Sequence, residues 1–324
     1  MMVGLRVLGL WLFCGVALAQ TSTLQVISNR ALSFDDGLQL GEQRGFLSHY
    51  ECTVEVTDIT AAKAVEPFLP FFVPTENLTV QSVTQSAPPT KLSHRPIIYI
   101  HGYNEEFEKS CVRAMWLYRA LGINRPFFLF SWPADGRISN YTRDEADAHW
   151  SVLDLALAIQ QLSEVSADGR VDVLAHSLGG RIATLALSHE VLRGQPINEL
   201  VLIAADIDYG HAKRYWPLLA KKAARVSVYQ SDGDSALQLS ETLHGYPRLG
   251  QVLSNEEYWS GPDFLDFSNA PRRLAGGHHY HLVNPAVQLD LLGVLRGQPV
   301  IERAGWTKPR TGATAPANYW QYQP

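Results

Sequence analysis

The chain has 324 residues, of which 46% are apolar and 18% are charged, so it can bury a large core within one α/β domain. Its net charge of -5 argues against nucleic-acid binding, and no long basic run offsets that charge. These values exclude a basic nucleic-acid-binding module and favour a single globular enzyme or binding protein.

The first 19 residues have the pattern of a secretory signal peptide. Arg6 precedes the apolar run 7–16, and Ala17-Leu18-Ala19 puts small residues at the two positions that a signal peptidase inspects. The apolar run is shorter than the roughly 20 residues that span a bilayer, so no stable membrane span is expected after cleavage. We therefore expect an exported protein, periplasmic or extracellular, with cleavage before Gln20.

Two cysteines, Cys52 and Cys111, remain after the predicted signal peptide, and the expected export bears on whether they form a disulfide. In an oxidising compartment two such thiols can pair. Sequence spacing does not show whether their α-carbons approach within the roughly 6 Å that a disulfide needs. Both the paired and the free state stay open at this point.

The rest of the chain is predicted to form one domain without internal repeats. Early strands and a Pro-, Ser- and Thr-rich connection over 73–95 occupy residues 20–95, the α/β core occupies 96–300, and a tail occupies 301–324. Alternating strand and helix patterns indicate a mostly parallel sheet with helices on both faces and a site at the carboxyl ends of the strands. Strands are predicted at 96–101, 126–131, 171–176, 199–205, 225–231 and 263–267, and helices at 105–121, 144–164, 178–192, 211–223 and 285–295.

Residues 171–183, VDVLAHSLGGRIA, place Ser177 between an apolar strand and a helix. Gly179 and Gly180 permit a tight turn, and apolar residues then follow at helical spacing. This is the pattern of a nucleophile elbow, in which a strained turn presents a serine hydroxyl to a general base.

Two backbone N–H groups are candidates for an oxyanion hole. Leu178 begins the helix, where N–H groups have no helical acceptor and the helix dipole favours negative charge. Tyr103 lies in the tetrapeptide 101–104, HGYN, that follows the strand at 96–101, and Gly102 lets this backbone come close to a substrate.

A carboxylate is expected after a late strand, where it can orient the base. The strand at 225–231 is followed by Asp232 and Asp234. We favour Asp234 over Asp232, and both over Asp206, which follows the preceding strand.

The base is expected last, in the segment 276–281, GGHHYH. His278 is the first choice, and the chain order Ser, Asp, His is the one typical of this fold. Three histidines so close together could instead bind a metal, but neither a second ligand cluster nor an HExxH motif accompanies them. No metal and no cofactor are therefore expected.

Seven segments share spacing and composition with one known group of proteins: HGYN at 101–104, FSWPADG at 130–136, AHSLGG at 175–180, AADID at 204–208, YQSDGDSAL at 229–237, LHGYPRLG at 243–250 and GHHYHLVNP at 277–285. Together they resemble a bacterial α/β-hydrolase family, grouped with esterases and lipases and of unknown function, over residues 95–293. The resemblance implies Ser177 as nucleophile, Asp234 as acid and His278 as base. His279 stands where the family commonly has serine, which leaves a second histidine beside the expected base.

The combined expectation is an exported serine hydrolase, a carboxylesterase that cleaves a small-molecule ester through an acyl-enzyme. An amidase or a thioesterase would use the same triad. A non-catalytic envelope binding or scaffold protein could keep the fold without turnover, but it would be expected to lack a triad residue, and none is missing. The sequence specifies neither the ester nor a protein partner.

Overall fold

The fold is built on one central sheet. The computed structural model describes residues 20–33, 39–57, 77–253, 258–270, 277–308 and 317–324, so the predicted signal peptide over 1–19 lies outside the described residues. In the described ranges the strands are β1 (Gln20–Ser33), β2 (Gln39–Val56), β3 (Leu78–Ser86), β4 (Ile97–Ile100), β5 (Phe127–Ser131), β6 (Val171–His176), β7 (Ile197–Ile203), β8 (Ala223–Gln230), β9 (Asp263–Asp266), β10 (Trp306–Thr307) and β11 (Tyr319–Tyr322).

The sheet is parallel in its middle and antiparallel at its edges. The strand order is β10-β11-β9-β8-β7-β6-β4-β5-β1-β2-β3. Neighbours from β1 through to β11 run parallel, whereas β2, β3 and β10 pair antiparallel. The carboxyl ends of the parallel strands therefore meet at one edge, where ligand sites form in such sheets.

Helices cover both faces of this sheet, as crossovers between parallel strands require. They are α1 (Phe107–Leu121), α2 (Tyr141–Trp150), α3 (Val152–Val165), α4 (Leu178–Leu187), α5 (Tyr209–Lys222), α6 (Ser235–His244), α7 (Tyr280–Val283) and α8 (Pro285–Leu295). Helix α1 contacts α7 and α8, whereas α4 contacts α2, α3 and α5. No helix in the described ranges combines the length and apolar character needed to cross a membrane.

The alternation of side chains along β4 shows how the two faces are filled. All four of its residues are buried. Ile97 and Tyr99 belong to the core shared with α1 and α8, whereas Ile98 and Ile100 belong to the core shared with α3 and α4. Successive strand residues point to opposite faces, so a strand covered on both sides is continuously apolar. The predicted α/β-hydrolase architecture is thus confirmed.

Several predicted elements differ from the observed ones, and the helix expected over 178–192 ends at Leu187. The single helix expected over 144–164 is two helices that meet at Ser151, whose hydroxyl donates to the carbonyl of Asp147 and accepts from Asn29. This local hydrogen bonding competes with a continuous helix. The connection expected over 73–95 contains β3, which is partly exposed and polar, so it lacks the apolar signal of a buried strand.

The chain after α8 returns to the sheet. Strand β11 pairs in parallel with β9, and the Tyr319 hydroxyl donates to Asp266 at 2.7 Å. The described part of the predicted tail therefore extends the sheet at the edge next to the strand that precedes the histidine segment.

Cys52 and Cys111, the cysteines of the described residues, are both buried and both free. Cys52 lies on β2 and Cys111 on α1, and their thiols are within hydrogen-bonding reach. Burial and this neighbour raise the pKa of Cys111, so its thiol stays protonated at neutral pH.

Candidate active site

Ser177 occupies a strained turn between β6 and α4. Its backbone has φ 54° and ψ -123°, which non-glycine residues rarely adopt. The turn needs a residue without a side chain at 179, because a Cβ on Gly179 would lie 2.5 Å from the carbonyl oxygen of His101. The predicted elbow is therefore present, with the serine at the carboxyl end of a central strand.

Three side chains from distant segments converge at this turn. The Ser177 hydroxyl lies 2.9 Å from Nε2 of His278. On the other side of the ring, Nδ1 of His278 lies 2.8 Å from Oδ2 of Asp234 and 3.0 Å from Oδ1. All three residues are buried, at 2%, 5% and 1% exposure for the serine, histidine and aspartate. The distances are those of a nucleophile held by a base that is itself oriented by an acid.

The helix that follows Asp234 holds its carboxylate in place. Asp234 is the N-cap of α6, and its Oδ1 accepts a hydrogen bond from the Leu237 backbone N–H at 3.1 Å. Helix α6 is absent from the elements predicted from the sequence. An aspartate three residues before a helical N–H is a capping signal, and this signal also distinguishes Asp234 from Asp232, which lies exposed on the preceding turn.

The charge of Asp234 sets the protonation of His278. Burial lowers the pKa of His278, but the neighbouring carboxylate raises it by more, so the net pKa lies above the ordinary value of 6.5. Because the carboxylate only accepts, the ring carries its proton on Nδ1 and offers the lone pair on Nε2 to the serine. This is the tautomer that a general base needs.

Asp206, the alternative acid, serves a different cluster. Its carboxylate accepts from Arg248 at 2.8 Å, from Ser240 at 2.6 Å and from Tyr141 at 2.6 Å. Burial raises the pKa of Asp206, but Arg248 and Arg181 outweigh that effect and the net pKa is lowered. The preference for Asp234 thus agrees with the geometry, because no hydrogen bond joins Asp206 to His278 among the described residues.

The loop after β4 packs directly on the elbow. A Cβ on Gly102 would lie 2.8 Å from both the Ser177 Cβ and the His176 Nδ1, so only glycine fits here. This close approach brings the backbone of Gly102-Tyr103 beside the nucleophile. Leu178 is the first residue of α4, where its N–H has no helical acceptor. Both segments that carry the predicted oxyanion donors therefore adjoin Ser177, and the donor role of the Tyr103 and Leu178 N–H groups stays a prediction.

A small cavity of about 10 Å³ lies beside His278. Its walls include Tyr103, Asn104, Lys109, Arg113 and His278. The space is comparable to a single water molecule, which is the second reactant in hydrolysis.

Glu105, His176 and His279 form a cluster that the sequence analysis missed. One possible ligand atom from each lies within 4.8 Å of the others. The guanidinium of Arg113, however, already serves this cluster, donating to Glu105 at 2.8 Å and approaching Nε2 of His279 at 3.5 Å. The positive charge of Arg113 beside this carboxylate opposes the binding of a divalent ion at the cluster.

The fold and this arrangement of side chains define an α/β hydrolase. A family model described as an alpha/beta hydrolase of unknown function (DUF900) matches residues 81–295. This chain belongs to that family, and it is a hydrolase.

Solved structures with a similar fold are distant in sequence. A "putative cell surface hydrolase" from Lactobacillus plantarum WCFS1 is 16% identical, with a TM-score of 0.40, over 64% of this chain and 93% of that one. An uncharacterised protein from Capnocytophaga ochracea DSM 7271 is 11% identical, with a TM-score of 0.34, over 75% of this chain and 59% of that one. No curated protein matches the sequence.

Proposed function

We propose that this hydrolase is a serine carboxylesterase that works through an acyl-enzyme. Nε2 of His278 takes the proton from Ser177 as the serine oxygen attacks the ester carbonyl. The backbone N–H groups of Leu178 and Tyr103 donate to the oxyanion. The imidazolium then gives its proton to the leaving alcohol, and Asp234 stabilises its charge.

The second half of the reaction reverses these roles. Water enters beside His278, loses a proton to Nε2 and attacks the acyl carbonyl. The tetrahedral intermediate collapses, the serine oxygen takes the proton back, and the carboxylic acid leaves. The small cavity against His278 supports this step because it has room for one water next to the base.

The observation that carries the proposal is the unbroken hydrogen-bonded line from Ser177 through His278 to Asp234. A serine with an ordinary pKa is a weak nucleophile, and this line supplies the base and its counter-charge. The strained backbone of Ser177 supports the same conclusion, because such strain persists where function requires it.

The test compares Ser177→Ala with wild type on p-nitrophenyl acetate. We expect kcat to fall by about 10⁴-fold or more, since removing a triad residue disables the unit. Ser93→Ala is the matched control, because Ser93 is exposed in the connection before β4, at the opposite edge of the sheet. Circular dichroism checks that all three proteins are folded. Turnover by Ser177→Ala at the wild-type rate would contradict the proposal.

The choice of ester over amide or thioester is tested with the same protein. An acetanilide and an acetyl thioester of matched size are compared with the acetate ester by kcat/KM. We expect the ester to be the best substrate, because an alcohol leaves more readily than an amine. A higher kcat/KM for either of the other two would reassign the substrate class while keeping the triad.

We further propose that the enzyme is exported. The support is Arg6 followed by the apolar run 7–16 and the small residues Ala17 and Ala19. Expression of the full chain in a Gram-negative host should yield a periplasmic protein that begins at Gln20 by N-terminal sequencing. An unprocessed protein in the cytosolic fraction would contradict export.

A further inference from the structure

His176, the residue before the nucleophile, is fully buried where three site segments meet. It belongs to the elbow by sequence. Its Nε2 lies 3.0 Å from the main-chain carbonyl oxygen of His278. Its Nδ1 side faces Gly102, where a Cβ would come within 2.8 Å of that nitrogen. The ring of His176 therefore contacts the elbow, the loop after β4 and the segment that carries His278.

The partner of Nε2 determines which tautomer His176 adopts. A carbonyl oxygen can only accept, so Nε2 carries the hydrogen and donates it to His278. Nδ1 then holds a lone pair, and this buried atom has no hydrogen-bond partner in the described residues.

The ring of His176 stays neutral in these surroundings. It packs against the rings of His281, His278 and His279, with centroids 4.4, 4.7 and 4.9 Å away. Burial lowers the pKa of His176 well below 6.5, and the neighbouring imidazoles lower it further. Its role is therefore not to exchange protons but to hold one hydrogen bond.

We infer that His176 is a positioning residue, which fixes the main chain of His278 so that Nε2 of that ring meets the serine hydroxyl. The inference rests on the proposed role of His278 as base. Gly277, directly before His278, has φ 72°, a left-handed conformation that glycine adopts without strain, so its own backbone preference does not fix the direction of the chain at His278. The hydrogen bond from His176 Nε2 to the carbonyl oxygen of His278 restrains the main chain of the residue whose ring must reach Ser177.

Two substitutions separate the hydrogen bond from the bulk of the ring. His176→Gln keeps an N–H donor at the reach of Nε2, whereas His176→Met keeps similar volume without a donor. We expect kcat on p-nitrophenyl acetate to fall by about 10- to 100-fold in the Met variant, with KM nearly unchanged, because a shift of about 1 Å in a base costs this much. The kcat of the Gln variant should stay much closer to the wild-type value than the kcat of the Met variant. His94→Gln, at an exposed histidine, is the control and should match wild type.

The outcomes decide between positioning and mere packing. Equal kcat values for the Gln and Met variants at matched melting temperatures would overturn the inference, as would a Met variant with wild-type kcat. If Ser177→Ala keeps its rate, the proposed function itself fails. If Ser177→Ala is inactive while His176→Met is fully active, only the positioning role fails.

A second measurement does not depend on folded variants. Neutron crystallography of the deuterated wild-type protein locates the hydrogen on the His176 ring. We expect it on Nε2, directed at the carbonyl oxygen of His278. A hydrogen on Nδ1 instead would exclude the donated bond and with it the inference.

Discussion

Asp234 has two functions that one substitution can separate. Its carboxylate faces Nδ1 of His278, and Oδ1 also caps α6 by accepting from Leu237. Asparagine is as good an N-cap as aspartate, so Asp234→Asn keeps the cap and removes the charge. Asp234→Ala removes both. The pair therefore distinguishes a catalytic effect from a structural one.

The expected size of the catalytic effect follows from the tautomer. In Asp234→Asn, Oδ1 keeps its bond to Leu237, and the new NH₂ takes the place of Oδ2 at 2.8 Å from Nδ1 of His278. We expect Nδ1 to accept from this nearer group rather than donate to Oδ1, which lies 3.0 Å away, so that the ring proton moves to Nε2 and Nε2 can no longer take a proton from Ser177. Such a change of tautomer costs about 10⁴ in kcat, or about 5 kcal/mol of transition-state stabilisation.

For stability, Asp234→Ala is expected to be the more damaging of the two substitutions. Asp234→Ala loses the cap, worth about 1 kcal/mol, and leaves the Nδ1 hydrogen of His278 unpaired, which costs about 1–3 kcal/mol more. Asp234→Asn keeps both contacts and should unfold close to the wild-type temperature. We expect the Ala variant to unfold several degrees lower.

The assay is kcat on p-nitrophenyl acetate together with thermal unfolding by circular dichroism. The reasoning predicts that Asp234→Asn is folded and nearly inactive. If this variant kept more than a tenth of the wild-type kcat, Asp234 would not be the acid. If it unfolded as early as the Ala variant, the capping argument would be wrong.

Three further predictions follow from the same geometry. The value of kcat/KM should fall as the pH is lowered through a midpoint above 6.5, because only the neutral ring of His278 accepts a proton. Burial lowers the pKa of His278, but Asp234 raises it by more, so the net pKa is raised. A midpoint below 6 would contradict this reasoning. Gly102→Ala should lower kcat about 100-fold and destabilise the fold by about 1–3 kcal/mol, because the new Cβ would lie 2.8 Å from Ser177 and His176. Gly41→Ala is the control: its Cβ would have an ordinary contact of 3.6 Å, so kcat should stay unchanged. Asp206→Asn should cost about 3–5 kcal/mol in unfolding free energy, because the buried guanidinium of Arg248 loses its counter-charge. The same variant should lower kcat far less than Asp234→Asn, and equal losses of kcat would reopen the choice of acid.

Local patterns were enough to locate the elbow and its partners. Ser177 is preceded by a strand that is buried on both faces, and two glycines follow at 179 and 180, which is the strand-turn-helix pattern of a nucleophile elbow. Chain order and position after the late strands favoured Asp234 and His278 among close alternatives, and the resemblance supported the same choice. These residues meet because each follows the carboxyl end of a parallel strand, which topology brings to one edge.

What the sequence did not predict depends on contacts between distant segments. Glu105 and Arg113 form a buried ion pair, and Arg113 also reaches His279, 166 residues away. No spacing rule connects these positions. The choice between His278 and His279 likewise depends on orientation: the ring of His278 faces Ser177, whereas His279 faces the guanidinium.

The most direct test of the central claim is whether the Ser177 oxygen becomes covalently bonded. Wild-type protein is treated with a fluorophosphonate probe and digested, and the modified peptide is sequenced by mass spectrometry. We predict one stoichiometric adduct on Ser177, with no adduct in Ser177→Ala and strongly slowed labelling in Asp234→Asn. A folded wild-type protein that stays unlabelled, or carries the adduct on another residue, would contradict serine catalysis at this elbow.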